Sequence, residues 1–282
     1  MSAARPGIPP PAVPRSPFAR SGLVALDGFE DPAYPAAFEE CARAQTAFLA
    51  VEDAFRSAEY PWDRDALRQW SRCWEYPYVL AQLRSRTPGA VVDFGSGVTF
   101  FPFALARAGW AVTCVDNDPL VIHDLGRAAA ALGTLVHAVL NDGPVIPLAD
   151  ASADAVYSIS VLEHLSDPLP VIAEAARILR PGGPFVLTMD VDLQGDGAIG
   201  PQPFDALLAA CAEHFEPLQP EVTIHPRRML DCFSGPRPRA HQPQVAGIML
   251  RSRNGRLRPL IGGPIAPDPV RLACYVATFV RR

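Results

Sequence analysis

The residue types able to do chemistry gather in three short stretches of this 282-residue chain. The first holds Asp93, the loop Gly95-Ser96-Gly97, then Asp116 and Asn117; the second is Asn141-Asp142-Gly143; the third runs from Ser160 through His164 to Pro181-Gly182-Gly183. Two glycines around one serine permit positive φ and let a ligand lie against bare backbone. A carboxylate about 20 residues beyond the first glycine of such a loop stands where the acid ending a second strand meets a nucleoside ribose, and Asp116 fills that place. A dinucleotide site would want glycine or alanine at the sixth position, to seat a pyrophosphate on a helix N-terminus. Phe100 stands there instead. Asp93, two residues before the loop, would repel a diphosphate and attract a cation.

A nucleoside that carries positive charge and no phosphate fits this pattern, and S-adenosylmethionine, with its ammonium and sulfonium, is such a molecule. The run D-F-G-S-G followed by V-D-N-D resembles motifs I and II of the class I, S-adenosylmethionine-dependent methyltransferases. The run S-x-x-V-L-E-H-L through L-R-P-G-G is similar to their small-molecule and quinone-methyltransferase-like type, and the resemblance extends from about Val91 to Asp192. It implies a Rossmann-like α/β fold, with a seven-stranded, mostly parallel sheet whose last strand is antiparallel, and a helical section ahead of it acting as a lid. It implies cofactor contacts from Asp93, Gly95, Ser96, Gly97, Asp116, Asn117, Asp142, Gly143 and Ser160, with Asp142 accepting from the adenine amino group and the next amide meeting the ring. Thr99 stands where that family commonly carries a third glycine. His164, at the carboxyl end of a strand where substrate sits in such sheets, is the candidate base for a hydroxyl or ammonium acceptor. Trp74, Tyr76 and Tyr78 would wall a pocket for an aromatic or cationic group.

The elements that must position these residues follow from periodicity. Apolar residues from Pro35 to about Ala58 recur on one helical face; Asp63 is placed to cap a second helix carrying Leu67, Trp70 and Trp74, which Pro77 should end or kink before a third runs through Leu83. Strands are expected at Val91–Phe94, Ala111–Val115, Leu135–Leu140, Asp154–Ser160 and Phe185–Met189, with intervening helices after the glycine loop, after Asp118 and after Ser166 or Asp167. Beyond Asp192 come a glycine-rich connection, a helix over Phe204–His214, a strand over Leu218–Ile224, a hairpin about Asn254-Gly255, and a final strand over Arg271–Val280. The expected organisation is a disordered proline-rich lead-in (1–20), an N-terminal helical lid (21–88), and a catalytic domain (89–282) with an arginine-rich hairpin insertion at about 234–262.

Composition narrows the partners. The net charge is −5, which argues against a general nucleic-acid binder, and no apolar run reaches membrane-spanning length. All 25 basic residues are arginine, so no lysine can serve as a base or form a Schiff base. Six scattered cysteines without C-x-x-C pairs point to reduced thiols in a cytoplasm, and neither cysteines nor histidines show metal-ligand spacing. Three readings stand. The first is methyl transfer to an oxygen or nitrogen of a small-molecule acceptor. The second is an RNA methyltransferase using the arginines between Arg227 and Arg258. The third is a partner subunit that holds S-adenosylmethionine without catalysis.

Overall fold

The computed structural model describes residues 16–62, 64, 66–143, 145–192, 199–236 and 272–282. In chain order its strands and α-helices are β1 (Gly22–Leu23), α1 (Ala33–Leu49), α2 (Arg72–Arg84), β2 (Ala90–Phe94), α3 (Phe101–Arg107), β3 (Ala111–Asp116), α4 (Pro119–Leu132), β4 (His137–Leu140), β5 (Ala155–Ile159), α5 (Leu169–Ile178), β6 (Pro184–Asp192), α6 (Pro201–His214), β7 (Phe215–Pro217) and β8 (Leu272–Arg281). The strands form one sheet in the order β1-β8-β6-β5-β2-β3-β4, with β7 also paired to β8. From β4 across to β6 the strands are parallel, and β8 returns antiparallel beside β6, Leu272 opposite Asp192 and Val280 opposite Pro184.

This is the Rossmann-like sheet expected, with eight strands in place of seven because two short segments share the outer edge of β8. Chain order reverses between β2 and β5, which opens a crevice at the carboxyl ends of those strands, the place where ligands bind in open α/β sheets. Both faces of the sheet are covered, which parallel strands with buried β-branched runs require. On one face α1, α2, α3 and α4 close a core around Phe48, Trp74, Phe103, Leu125 and Val186. On the other, α5 and α6 pack Ile172, Leu207 and Cys211 against Leu187 and Met189.

Helix α4 shows why local rules suffice in the central region. Asp118 accepts from the Leu120 amide at 2.8 Å, Pro119 takes the first turn, and Gly133 closes the helix in the left-handed region at φ 59°. The N-terminal section departs from the sequence reading. The first helix ends at Leu49, and a 3-10 turn over Glu52–Ala54 folds the chain back so that the Phe48 and Phe55 rings lie 4.9 Å apart. A seven-residue spacing signals a continuous helix equally well, so periodicity could not separate the two. Asp63 lies outside the described residues, Ala66–Arg68 is a single 3-10 turn, and α2 begins only at Arg72.

Pro77 neither ends nor divides α2. A proline inside a helix leaves the carbonyl four residues earlier without its donor, and here the Tyr34 hydroxyl of α1 donates to that carbonyl, Cys73 O, at 3.1 Å. Gly22–Leu23 adds a short edge strand at the start of the N-terminal section, ahead of the helix expected from Pro35. The strand expected at Leu218–Ile224 forms instead at Phe215–Pro217, where β8 supplies the pairing edge. The glycine-rich connection is described only from Ile199, and the hairpin about Asn254-Gly255 lies outside the described residues. Within the described residues no helix is long and apolar enough to cross a membrane, and all six cysteines are buried thiols outside any disulfide.

Candidate active site

The loop after β2 is built by backbone amides. Gly95 (φ 71°) and Gly97 (φ 51°) both sit in the left-handed region, and a Cβ on Gly95 would overlap the Val161 side chain. Gly95 N–H donates to Val115 O at 2.8 Å, which ties the loop to the end of β3. Asp116, the last residue of β3, accepts from the Gly97 amide at 2.9 Å through Oδ2 and from the Asp118 amide at 3.1 Å through Oδ1. Burial raises its pKa, against the pull of the amides of Gly97, Asp118 and Asn117. Beneath the loop Asp93 is buried beside Tyr157 and Cys114, its register neighbours on β5 and β3. Burial, with the Asp116 charge adding to it, pushes its carboxyl up to about 8. The Ser96 hydroxyl is buried and makes no hydrogen bond in strict geometry, with the Cys114 thiol beside it.

At the carboxyl end of β4, Asn141 N–H donates to Asp116 O at 2.8 Å, and Asn141 Nδ2 to Gly143 O at 3.0 Å. Exposed Asp142 and Gly143 therefore stand on the same rim as Asp116 and exposed Asn117. Asp93 and the buried Ser96 hydroxyl thus lie beside the glycine turn, and the Asp116 carboxylate lies at its mouth, an acid–backbone arrangement that could hold a cationic nucleoside such as S-adenosylmethionine.

A second polar cluster lies where β5 and β6 end. Glu75 of α2 is 0% exposed; its Oε2 accepts from Arg72 at 2.6 Å and its Oε1 from the Ser160 hydroxyl at 2.7 Å. Ser160, just past β5, holds φ 47°, a left-handed conformation unusual for serine, while its amide donates to Thr188 O at 3.0 Å. Glu163 follows in a 3-10 turn (Leu162–His164), and its Oε1 accepts from the Asp190 amide of β6 at 3.1 Å.

The predicted residues thus divide. Asp93, the glycine loop, Asp116, Asn117, Asp142 and Gly143 share one rim. Ser160 turns its hydroxyl to Glu75. His164 is exposed, its ring centroid 6.4 Å from that of Trp62, which is 55% exposed. Trp74, Tyr76 and Tyr78 do not wall one pocket: Trp74 and Tyr78, four apart, share one side of α2, and Tyr76, two from each, faces nearly the opposite side. Trp74 packs among Phe18, Phe29 and Tyr34. The Tyr78 hydroxyl meets Thr278 at 2.8 Å and Gln219 at 3.0 Å. Tyr76 alone reaches the loop side, on Phe100 and Phe101 at 4.9 and 5.3 Å.

Sequence reasoning missed a clamp over the loop. The Val98 amide donates to the Tyr60 hydroxyl at 2.9 Å, Arg56 donates to Val98 O at 3.3 Å, and the Arg56 guanidinium lies 4.4 Å over the Tyr60 ring. Ser57 secures the same segment to α4, its amide and hydroxyl donating to Asp124 at 2.8 and 2.6 Å. No spacing rule joins residues 38 to 67 positions apart. The dense aromatics of this section were the one available hint.

Comparison with known proteins agrees with this geometry. A methyltransferase-domain family model matches residues 92–187. An uncharacterized methyltransferase of Mycobacterium sp. strain JLS is 42% identical over 107 residues, 37% of this chain and 41% of that one. A second, from Mycobacterium ulcerans strain Agy99, is 39% identical over 115 residues, 40% of this chain and 44% of the relative. The chain thus matches less than half the length of these curated relatives. In fold it is similar to the [4+2]-cyclase SpnF, with 20% identity, a TM-score of 0.53, and 87% and 96% of the two chains covered. It is also similar to a geranyl diphosphate methyltransferase solved with GPP and sinefungin, with 17% identity, a TM-score of 0.51, and 93% and 89% covered. The glycine loop and its two acids, Asp93 and Asp116, lie within the stretch over which the chain is similar to these methyltransferases.

Proposed function

We propose that the whole chain transfers the methyl group of S-adenosylmethionine to an oxygen or nitrogen of a small molecule. The observation that carries this reading is the rim formed by Gly95, Gly97, Asp116 and Asp142, with Asp93 beneath it, opening into the crevice between β2 and β5. Asp116 would hold the ribose hydroxyls, Asp142 and the Gly143 amide the adenine, and Asp93, Ser96 and the glycine-loop backbone the methionine moiety. Bound S-adenosylmethionine supplies an electrophilic methyl on a sulfonium that already leaves well, so the protein's task is alignment and exclusion of water. Val161, stacked under Gly95, fixes how far the acceptor side approaches the loop. Of the three aromatics on α2, Tyr76 is the one that borders this space. His164, on the exposed rim with Trp62, serves as base only for an acceptor that enters from that side. Residues 21–88, with the Arg56–Tyr60 clamp, act as the lid.

Calorimetry with S-adenosylhomocysteine tests the site: the wild-type chain binds, and Asp116→Ala, which removes a charged partner of two amides, weakens binding by about two orders of magnitude. Unchanged affinity in a folded Asp116→Ala protein sinks the assignment. The fold is shared with a protein named as a cyclase, so a non-methylating role for bound cofactor is a second reading. Formation of S-adenosylhomocysteine with any small-molecule acceptor rejects it. The RNA reading draws on arginines of which only Arg227 and Arg228 are described. Arg228 is paired with Asp27 at 2.6 Å. That reading requires RNA affinity that falls steeply with salt.

A further inference from the structure

Asp93 lies beneath the glycine loop among groups that offer it no counter-charge. It is the fourth residue of β2, in register with Cys114 on β3 and Tyr157 on β5, and it is 4% exposed. Among the described residues, the groups that act on its carboxyl are the Tyr157 hydroxyl and the Asp116 carboxylate, and neither is a cation. The Cys114 thiol feels both Asp93 and the Ser96 hydroxyl, and from α2 the Tyr76 hydroxyl feels both Asp93 and Arg72. An ionised carboxylate enclosed in this way would be an uncompensated buried charge, which a protein avoids by keeping the group protonated. Two neighbouring hydroxyls are also unspent. Those of Tyr157, 0% exposed, and Ser96, 5% exposed, are buried without a hydrogen bond in strict geometry. Buried polar atoms without partners are uncommon, so the acid and the hydroxyls around it are arranged for a donor that arrives through the crevice.

We propose that Asp93 is a neutral carboxylic acid in the free protein and gives up its proton when the ammonium of the cofactor's methionine moiety arrives, so that cofactor uptake is coupled to proton release. The inference deepens the cofactor reading and rests on it. The O–H bond of Asp93 breaks and its proton passes to the buffer, while the carboxylate left behind accepts from the ammonium, whose own charge is unchanged. The pocket therefore never holds a lone charge: it is neutral when empty and contains an ion pair when filled. The basicity of the free acid agrees with its packing. Burial raises its pKa to about 8, with the Tyr157 hydroxyl opposing the rise and the Asp116 carboxylate adding to it. Below that value the incoming cation must displace a proton, and above it the carboxylate is ready-made, so affinity rises with pH and then levels off near pH 8. The exchange also selects the ligand by charge. A nucleoside without an ammonium leaves the proton on Asp93 and gains nothing from it.

The test titrates the full chain with S-adenosylhomocysteine by calorimetry, in pairs of buffers that differ in ionisation enthalpy, at pH 6, 7 and 8. A group titrating at about 8 holds about 1, about 0.9 and about 0.5 proton at those pH values, and the release on binding should follow that series. Affinity should rise about fiftyfold from pH 6 to pH 8 by the same linkage. 5′-Methylthioadenosine, which keeps the nucleoside and lacks the amino acid, should release no proton, and this separates Asp93 from the ribose partner Asp116. Asp93→Asn, of the same shape and unable to ionise, should bind without proton release and with an affinity that is level across this range. Tyr157→Phe removes the hydroxyl that holds Asp93 down, so it should release more than about 0.5 proton at pH 8. It decides the matter where Asp93→Asn does not fold. Binding without proton release at pH 7, or equal release in folded Asp93→Asn, overturns the proposal. So does equal release by 5′-methylthioadenosine, or a series that Tyr157→Phe leaves in place. Failure of S-adenosylhomocysteine to bind at any of these pH values strikes the cofactor reading itself, and this inference falls with it.

Discussion

At the carboxyl edge of one sheet, the ends of β2 and β3 and the ends of β5 and β6 each hold buried acids, yet they are assembled in opposite ways. At β2 and β3 the loop and both acids lie between Asp93 and Asp118, and the Asp116 carboxylate is satisfied by main-chain amides of the glycine loop and of its own turn. At β5 and β6 the members come from α2, from the turn after β5 and from β6; the Ser160–Glu75 bond spans 85 residues and the Asp190–Glu163 bond 27. A backbone-built site depends on φ values that few residue types accept, so it leaves a signature in composition. A side-chain-built site depends on which helix crosses above which strand, and Arg, Glu, Ser and Asp are ordinary residues anywhere in a chain.

The contrast predicts that damage at the β5–β6 end is felt first by the fold and damage at the β2–β3 end first by the cofactor. The largest effect belongs to Glu75→Ala, which strands Arg72 and the Ser160 hydroxyl. Breaking a buried pair on one side costs about 3–5 kcal/mol, to be read by urea unfolding, while S-adenosylhomocysteine affinity of the remaining folded protein changes little. An intermediate effect follows pH. The native Asp93 keeps its proton to about pH 8, whereas the unfolded chain releases it near its ordinary value of 3.8. Across that window the unfolded state binds fewer protons, so this residue's contribution to stability falls as pH rises, by at most about 1.4 kcal/mol per pH unit. Urea unfolding of the cofactor-free protein at pH 5 and at pH 8 should show a smaller decline in Asp93→Asn than in the parent chain. An identical decline would place Asp93 outside the titrating set. The smallest effect is expected of Tyr60→Phe. It leaves the Val98 amide without its acceptor, at about 1 kcal/mol, and should appear as a roughly fivefold loss of S-adenosylhomocysteine affinity with little change in unfolding. A stability loss without an affinity loss would show that the Arg56–Tyr60 clamp is structural only.

The same distinction explains which parts of the molecule were legible. Helix α4 was readable because Asp118, Pro119 and Gly133 each satisfy a local requirement at a helix end. Helix α2 was misread at Pro77, since the group that makes a mid-helix proline tolerable is Tyr34, 39 positions from the carbonyl it serves. The helix expected through Phe55 failed for a related reason: a reverse turn and a straight helix both bring residues seven apart onto one face. The strand expected at Leu218–Ile224 moved to Phe215–Pro217 because the edge of β8 decides where an edge strand can pair.

By itself the sequence determined the order of strands and helices from Val91 to Asp192, the turn of the glycine loop, and the charge that suits a cationic nucleoside cofactor. Those features rest on local conformational preference and on residues a few positions apart. Tertiary structure alone decided that Trp74 packs among Phe18, Phe29 and Tyr34, that Tyr60 and Arg56 reach over the loop, and that Glu75, Glu163 and Asp190 lie around Arg72. These contacts arise only when α2 is laid across the sheet, and no periodicity within a segment encodes the neighbour that a helix acquires from another part of the chain.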